Sequence, residues 1–305
     1  MHFIAVLNRE GGTLRNLDLD SFEARMRTAI EAAGHTLDIR SVEGDAIEEA
    51  LKAASRARKA DVVMVGGGDG TVSAAAAVLQ GTSKVLAVLP AGTMNLFARS
   101  LGIPLNLDAA IAALANGKVR AVDMASANGR PFVHQFSIGM HAKMVHLRDR
   151  MAFGSRLGKI GASARAAYYA VMNPPAMRVS LRIGDADIVA KTTALGITNN
   201  LFGEGHLPYA EAPDGGVLGI YVTVAQLRGE LFAFLLNMAR GRWRRNSQVE
   251  IHQAETVVLT VLGRHGRQRA VIDGELVPLE RETTLRIHPK SLKVLVPGDA
   301  AETDT

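Results

Sequence analysis

The 305-residue chain contains no cysteine. Disulfides, thiolate metal centres and cysteine nucleophiles are thereby excluded. Aromatic residues make up 5%, tryptophan occurs once, and the basic residues read as dispersed, with no nucleic-acid motif among them. No nucleic-acid partner is therefore expected. The nine histidines show no H-x-x-x-H spacing, so no zinc site is expected either. No apolar run approaches the ~18 residues of a membrane span. The first such run, His2 to Leu7, is one strand long and leads straight into a charged loop, unlike a signal peptide. These absences give the expectation of a cytoplasmic protein that meets a membrane only from its aqueous side, peripherally at the inner face.

What is present suffices for two packed domains. Apolar residues make up 48% and charged residues 21%, and the net charge of +5 suits anionic partners. Over the first ~120 residues two periods alternate. Apolar runs at His2–Leu7, Thr36–Val42, Asp61–Val65 and Lys84–Leu89 read as buried strands. Helical spacing fills the gaps at Leu19–Ala33, Ala46–Ala57 and Val72–Leu79. That alternation predicts a Rossmann-like α/β domain over 1–120 with a parallel sheet. From Val119 onward, short alternating runs separated by turns such as Gly184-Asp185 and Asp273-Gly274 predict an antiparallel, sandwich-like β-rich domain over 121–289. Helical inserts interrupt it near 143–172 and 226–243, and a strand at about 290–298 returns to the first domain.

The chemistry concentrates in two loops. Val62–Val65 runs into Gly66-Gly67-Gly68-Asp69-Gly70-Thr71 and then a helical stretch. Glycines after a strand let the backbone approach a phosphate, and the following helix offers free N–H groups at its positive end. Asp69 beside a polyphosphate implies a cation between them, most simply Mg²⁺. The second loop, Pro90-Ala91-Gly92-Thr93-Met94-Asn95, follows the next strand and points into the same crevice. Thr93 or Asn95 alone would pass as a helix cap. Neither loop has Walker or dinucleotide spacing.

With GGDGT at Gly67–Thr71, PxGTxN at Pro90–Asn95, ARSLGIP at 98–104, PDGGVL at 213–218 and DGE at 273–275, the chain resembles the catalytic domain shared by diacylglycerol kinases, sphingosine kinases and soluble bacterial lipid kinases. The resemblance implies an ATP- and Mg²⁺-dependent kinase that phosphorylates a lipid hydroxyl. It implies ATP contacts from Asn8, Ser41, Gly66, Gly67, Gly68, Asp69, Gly70, Thr71, Gly92, Thr93 and Asn95. Asp273 would be the general base, with Glu275 supporting it or the metal. Asp69 would hold the nucleotide's Mg²⁺, and Asp214 a second, structural Mg²⁺. Read alone, Asp273-Gly274 is a type I′ hairpin turn.

Four positions depart from the family pattern. The first loop reads Asn8-Arg9-Glu10-Gly11-Gly12 in place of NPxSG, while Leu96, His141 and Gly219 stand where aspartates are usual. They keep a second reading open, a weakly catalytic nucleotide or lipid sensor, beside NAD kinase, which shares GGDGT. A membrane-facing segment is expected at 228–245, where Leu231, Phe232, Leu235, Leu236 and Met238 precede Arg240, Arg242, Trp243, Arg244 and Arg245. A helix packed on the β-domain with a solvated basic end fits the same residues at least as well, and the two combine if the helix packs and only its basic tip touches headgroups. Exposed sheet edges could pair two chains into a homodimer.

Overall fold

The computed structural model describes residues 1–150, 156–203, 207–225, 227–241, 247–263 and 268–298. The chain forms two compact units, one of Met1–Met124 with the segment from Pro289 on, the other of Ala125–His288.

In the first unit, β1 (His2–Asn8), α1 (Leu19–Ala32), β2 (Thr36–Val42), α2 (Ile47–Arg56), β3 (Val62–Gly67), α3 (Asp69–Leu79), β4 (Val85–Pro90), α4 (Leu96–Ser100) and α5 (Leu107–Ala115) follow in order. The strands pair in parallel in the order β2-β1-β3-β4. Residues of β1, β3 and β4 are buried almost throughout, which is why these strands read as continuous apolar runs. Helix α1 buries Phe22, Met26 and Ile30 at four-residue spacing, and Asp18 caps it by accepting the Ser21 N–H. Right-handed crossovers put α1 on one face of the sheet and α2 with α3 on the other. Accordingly α1 packs against α5, and α2 against α3.

The second unit contains β5 (Lys118–Ala127, from Ala125 on), β6 (Arg130–Phe132), β7 (Gln135–Gly139), α6 (Met140–Asp149), α7 (Arg156–Met172), β8 (Met177–Ile183), β9 (Ala186–Thr192), β10 (Ala194–Asn199), β11 (Leu218–Thr223), α8 (Arg228–Ala239), β12 (Val249–Ala254), β13 (Thr256–Leu262), β14 (Arg269–Ile272), β15 (Glu275–Pro278) and the first half of β16 (Glu282–Val296). One antiparallel sheet runs β12-β11-β10-β7-β14-β15. β13 pairs with β8 and with residues 282–286 of β16, and β8 with β9. Leu218, Ile220 and Val222 of one sheet and Val257, Leu259 and Val261 of the other share a single core.

Two boundaries differ from the sequence pattern for identifiable reasons. The run Lys191–Thr198 breaks between β9 and β10 because Thr192 and Thr193, both buried, turn their hydroxyls onto the Thr223 and Ala225 carbonyls. The segments Thr284–His288 and Leu292–Val296 are one strand, β16, kinked at Lys290 (φ 52°), whose N–H donates to the buried carboxylate of Asp123. Past the kink β16 pairs in parallel with β4 through Lys293 and Val294.

Candidate functional site

The strand order of the first unit reverses between β1 and β3. In open parallel sheets ligands bind beyond the carboxyl ends of the strands at such a reversal. There β1 ends in Asn8 and β3 in Gly67. A Cβ on Gly67 would stand 2.6 Å from both Cβ and Oγ1 of Thr71, so that position favours glycine, while one on Gly66 would meet chiefly the movable end of the Leu7 side chain at 2.7 Å. Helix α3 starts at Asp69, three residues earlier than its apolar periodicity indicates, because glycine and aspartate are tolerated in a first turn and aspartate is favoured there by the dipole. The first N–H returned into the helix is that of Val72, to Gly68 O at 3.1 Å. The amides of Asp69, Gly70 and Thr71 precede it and form the donor end of the helix. Asn8 Nδ2 donates to Thr71 Oγ1 (3.5 Å), and Asn8 Oδ1 accepts the Glu10 N–H (3.1 Å).

The loop after β4 folds onto this turn. A Cβ on Gly92 would stand 2.8 Å from Gly68 Cα. Asn95 takes a left-handed conformation (φ 52°), and its side-chain amide is spent inside its own loop. Its Oδ1 accepts the Gly92 N–H (2.8 Å), and its Nδ2 donates to the Gly92 and Pro90 carbonyls (3.0 and 3.2 Å). The capping of α4 comes from elsewhere: the Asp69 carboxylate accepts the N–H groups of Asn95 (3.1 Å) and Leu96 (2.7 Å). The loop after β1 joins them, with Thr13 N–H donating to Ala91 O at 2.7 Å. Three loops thus meet at one end of the sheet. Thr93 is exposed on this cluster, while Ser41 lies on β2 with its hydroxyl donating to Glu23 Oε1 at 2.5 Å. A cation on a nucleotide usually takes one or two carboxylates plus phosphate oxygens and water. Asp69, with one amide on each oxygen, keeps lone pairs for that role and fits it.

In the second unit, Asp273 and Gly274 both have positive φ (46° and 89°), the requirement of a two-residue type I′ hairpin, which here joins β14 to β15. The Asp273 carboxylate is clasped by consecutive amides. Oδ1 accepts from His134 and Gln135 (3.0 and 2.9 Å), and Oδ2 from Val133 (2.9 Å). Three N–H donors hold its negative charge in a fixed orientation. This nest was not legible in the sequence, since it joins positions about 140 apart. Glu275 is exposed and pairs with Arg130 at 2.9 Å. The Asp214 turn rests on Asn200, which is buried and left-handed (φ 65°) and whose Oδ1 accepts the Val217 N–H at 3.4 Å. Among the described residues no three His, Asp or Glu side chains gather as a metal site, so any cation at Asp214 would depend on backbone carbonyls. His141 Nδ1 shares a 2.6 Å hydrogen bond with Ser137 Oγ. Burial, then the neighbouring His134 and Arg148, push the His141 pKa down to about 4, so the ring is neutral at ordinary pH.

Residues 2–127 match the diacylglycerol kinase catalytic domain, and 135–296 the YegS C-terminal NAD kinase beta sandwich-like domain. A diacylglycerol kinase of Staphylococcus saprophyticus is 30% identical over 243 residues, covering 75% of each chain. The chain belongs to the diacylglycerol kinase family. A Synechocystis relative, sll0036, is 28% identical over 77% of this chain and 54% of its own length, so the chain spans about half of that protein. The crystal structure of a diacylglycerol kinase from Bacillus anthracis str. Sterne has the same fold, with a TM-score of 0.71 and 19% identity over 98% of this chain and 97% of that one. Against the family's usual pattern, Gly219 has a structural reason. A Cβ there would stand 2.5 Å from Thr198 Oγ1 and 2.9 Å from the Tyr221 ring, so that space is filled. Leu96 contributes its N–H to Asp69 in place of a second carboxylate. Arg242, Trp243, Arg244 and Arg245 lie outside the described residues, as do 204–206.

Proposed function

We propose that the chain is an ATP- and Mg²⁺-dependent lipid kinase that transfers the γ-phosphoryl group of ATP to a hydroxyl of a diacylglycerol-like lipid. The observation that carries this reading is the three-loop cluster, in which a helix N-terminus and two glycine loops present amides beyond a strand-order reversal. Asn8, Gly66–Thr71, Gly92 and Thr93 hold the phosphates, Asn95 shapes the loop that presents Thr93, and Ser41 borders the nucleotide. Asp69 would hold the cation, which would supply charge neutralisation for the transferring phosphoryl group. Asp273 takes the proton of the lipid hydroxyl, worth about 10²–10⁴ in rate. The lipid oxygen then bonds to the γ-phosphorus as the bond to the β-phosphate oxygen breaks, and ADP leaves. The clasp of amides fixes where the Asp273 carboxylate points, and Glu275 with Arg130 flanks it. A second Mg²⁺ at Asp214 would serve the turn rather than the transfer.

The test incubates the purified chain with γ-labelled ATP, Mg²⁺ and lipids in mixed micelles, beside Asp273→Asn. Label on one lipid, lost in the variant, is expected. Nucleotide binding without label on any lipid would overturn the kinase reading in favour of a sensor, the reading that Leu96 and His141 favour. NADP formation would assign the chain to NAD kinase chemistry.

A further inference from the structure

The positive charge of this chain is not dispersed. From 150 to 184 there are six Arg or Lys and no carboxylate, and from 226 to 249 five Arg and one Glu. These two segments carry a net +10, against +5 for the whole chain, so the remaining residues sum to −5. They hold α7 and α8, which pack on each other in the second unit. Ala170 and Val171 of α7 share a small core with Leu231 and Phe234 of α8.

Among the described residues, both helices also expose large apolar side chains away from that core. On α8, Phe232 (65% exposed) and Leu236 (40%) lie four residues apart, with exposed Arg228 and Arg240 continuing the stripe at the same spacing before and after them. The structure thus divides the apolar residues of this segment. Leu231 and Phe234 are core, while Phe232 and Leu236 are turned out. On α7, Tyr168 (61%) and Tyr169 (42%) are exposed, and the Arg165 guanidinium stands 5.8 Å from the Tyr169 ring centroid. Arginines bracketing exposed aromatic and aliphatic side chains match a bilayer interface, where rings sit at headgroup level and guanidinium groups reach phosphates.

We propose that the exposed face of α7 and α8, centred on Tyr168, Tyr169 and Phe232 and bracketed by Arg165, Arg228 and Arg240, docks the protein on a phospholipid bilayer bearing anionic headgroups. Charge complementarity selects this occupant. A second copy would bring the same surplus of arginine against it, whereas an anionic leaflet attracts each basic residue near its surface. The inference deepens the lipid-kinase reading by naming the surface on which the substrate is reached. It does not require the arginines from 242 to 245.

The experiment measures co-sedimentation of the full chain with vesicles of phosphatidylcholine alone and of phosphatidylcholine with phosphatidylglycerol, without ATP. One variant combines Tyr168→Ser, Tyr169→Ser and Phe232→Ser. The other combines Arg165→Gln and Arg228→Gln. Wild type is expected to bind the mixed vesicles more tightly, the first variant to lose at least about tenfold, and the second about tenfold with a weaker salt dependence. Unchanged melting temperatures and nucleotide binding show that both variants are folded. Because no phosphoryl transfer is read, the result stands whether or not the chain is a kinase. Wild-type-like binding by both variants, or no binding by wild type, overturns the proposal. Lipid-free self-association that the first variant abolishes would assign the surface to a second copy instead.

Discussion

Replacing Asp69 with asparagine keeps the size of the side chain but removes its charge and one of its two acceptor oxygens. The remaining oxygen can serve the Asn95 or the Leu96 N–H, and the new amide group then faces the other N–H. Hydrogen bonds to a charged acceptor contribute about 1.5–3 kcal/mol each, and loss of a helix cap costs about 1 kcal/mol. Some of this is recovered by water, because Asp69 is only half-buried. A loss of about 1.5–3 kcal/mol is expected in the protein free of nucleotide and of Mg²⁺. At about 2–4 °C per kcal/mol for domains of this size, the melting temperature should fall by several degrees. Thermal unfolding in EDTA reads the shift, and hydrogen exchange at the Asn95 and Leu96 amides reads the loosened loop directly. A side chain that acts only as a metal ligand gives the opposite result: without a cation, Asp69→Asn would melt with wild type and both amides would stay protected. That outcome would refute the claim that Asp69 clamps the two loops.

Other consequences are as direct. The His141 pKa falls from about 6.5 to about 4 on folding, so between those values the unfolded chain binds a proton that the folded chain does not. Stability should therefore be full above pH 6.5 and decline as the pH falls towards 4, by up to about 3 kcal/mol, and His141→Gln should flatten that part of a denaturation series. Gly219→Asp, which restores the family's usual residue, drives a side chain into Thr198 and Tyr221. It should destabilise the chain by about 1–3 kcal/mol, and an unchanged denaturation midpoint would contradict the packing described.

The parallel sheet was legible because each of its inner strands is buried on both faces and so is apolar without interruption. The glycine-rich turn after β3 was legible because its glycines sit between a strand and a helix. The sequence is silent where the deciding partner is distant. Asp69 looks like a metal ligand from its neighbours, and only the fold shows the two amides of the next loop turned to it. Asn95 looks like a ligand or a cap, yet its side chain holds its own loop closed. Asp273-Gly274 is both things the residues allowed, a type I′ turn and a carboxylate held at a fixed place, and the second depends on residues 133–135. Helix α8 was ambiguous by composition, since its apolar residues point both into the core and out of it.

Strand β4 has β3 on one side and, on the other, the last stretch of β16. A ribosome makes those two strands some two hundred residues apart, or roughly 10–40 s at ordinary rates of synthesis. For that interval the nascent first unit holds all three loops of the cluster described above while one edge of its parallel sheet stands open. An open edge is a template for any other strand. A messenger cut short before the codon for Lys293 would therefore yield a protein that contains all of GGDGT and PxGTxN and yet is prone to aggregate. Expression of the first unit alone would need the closing strand joined to it.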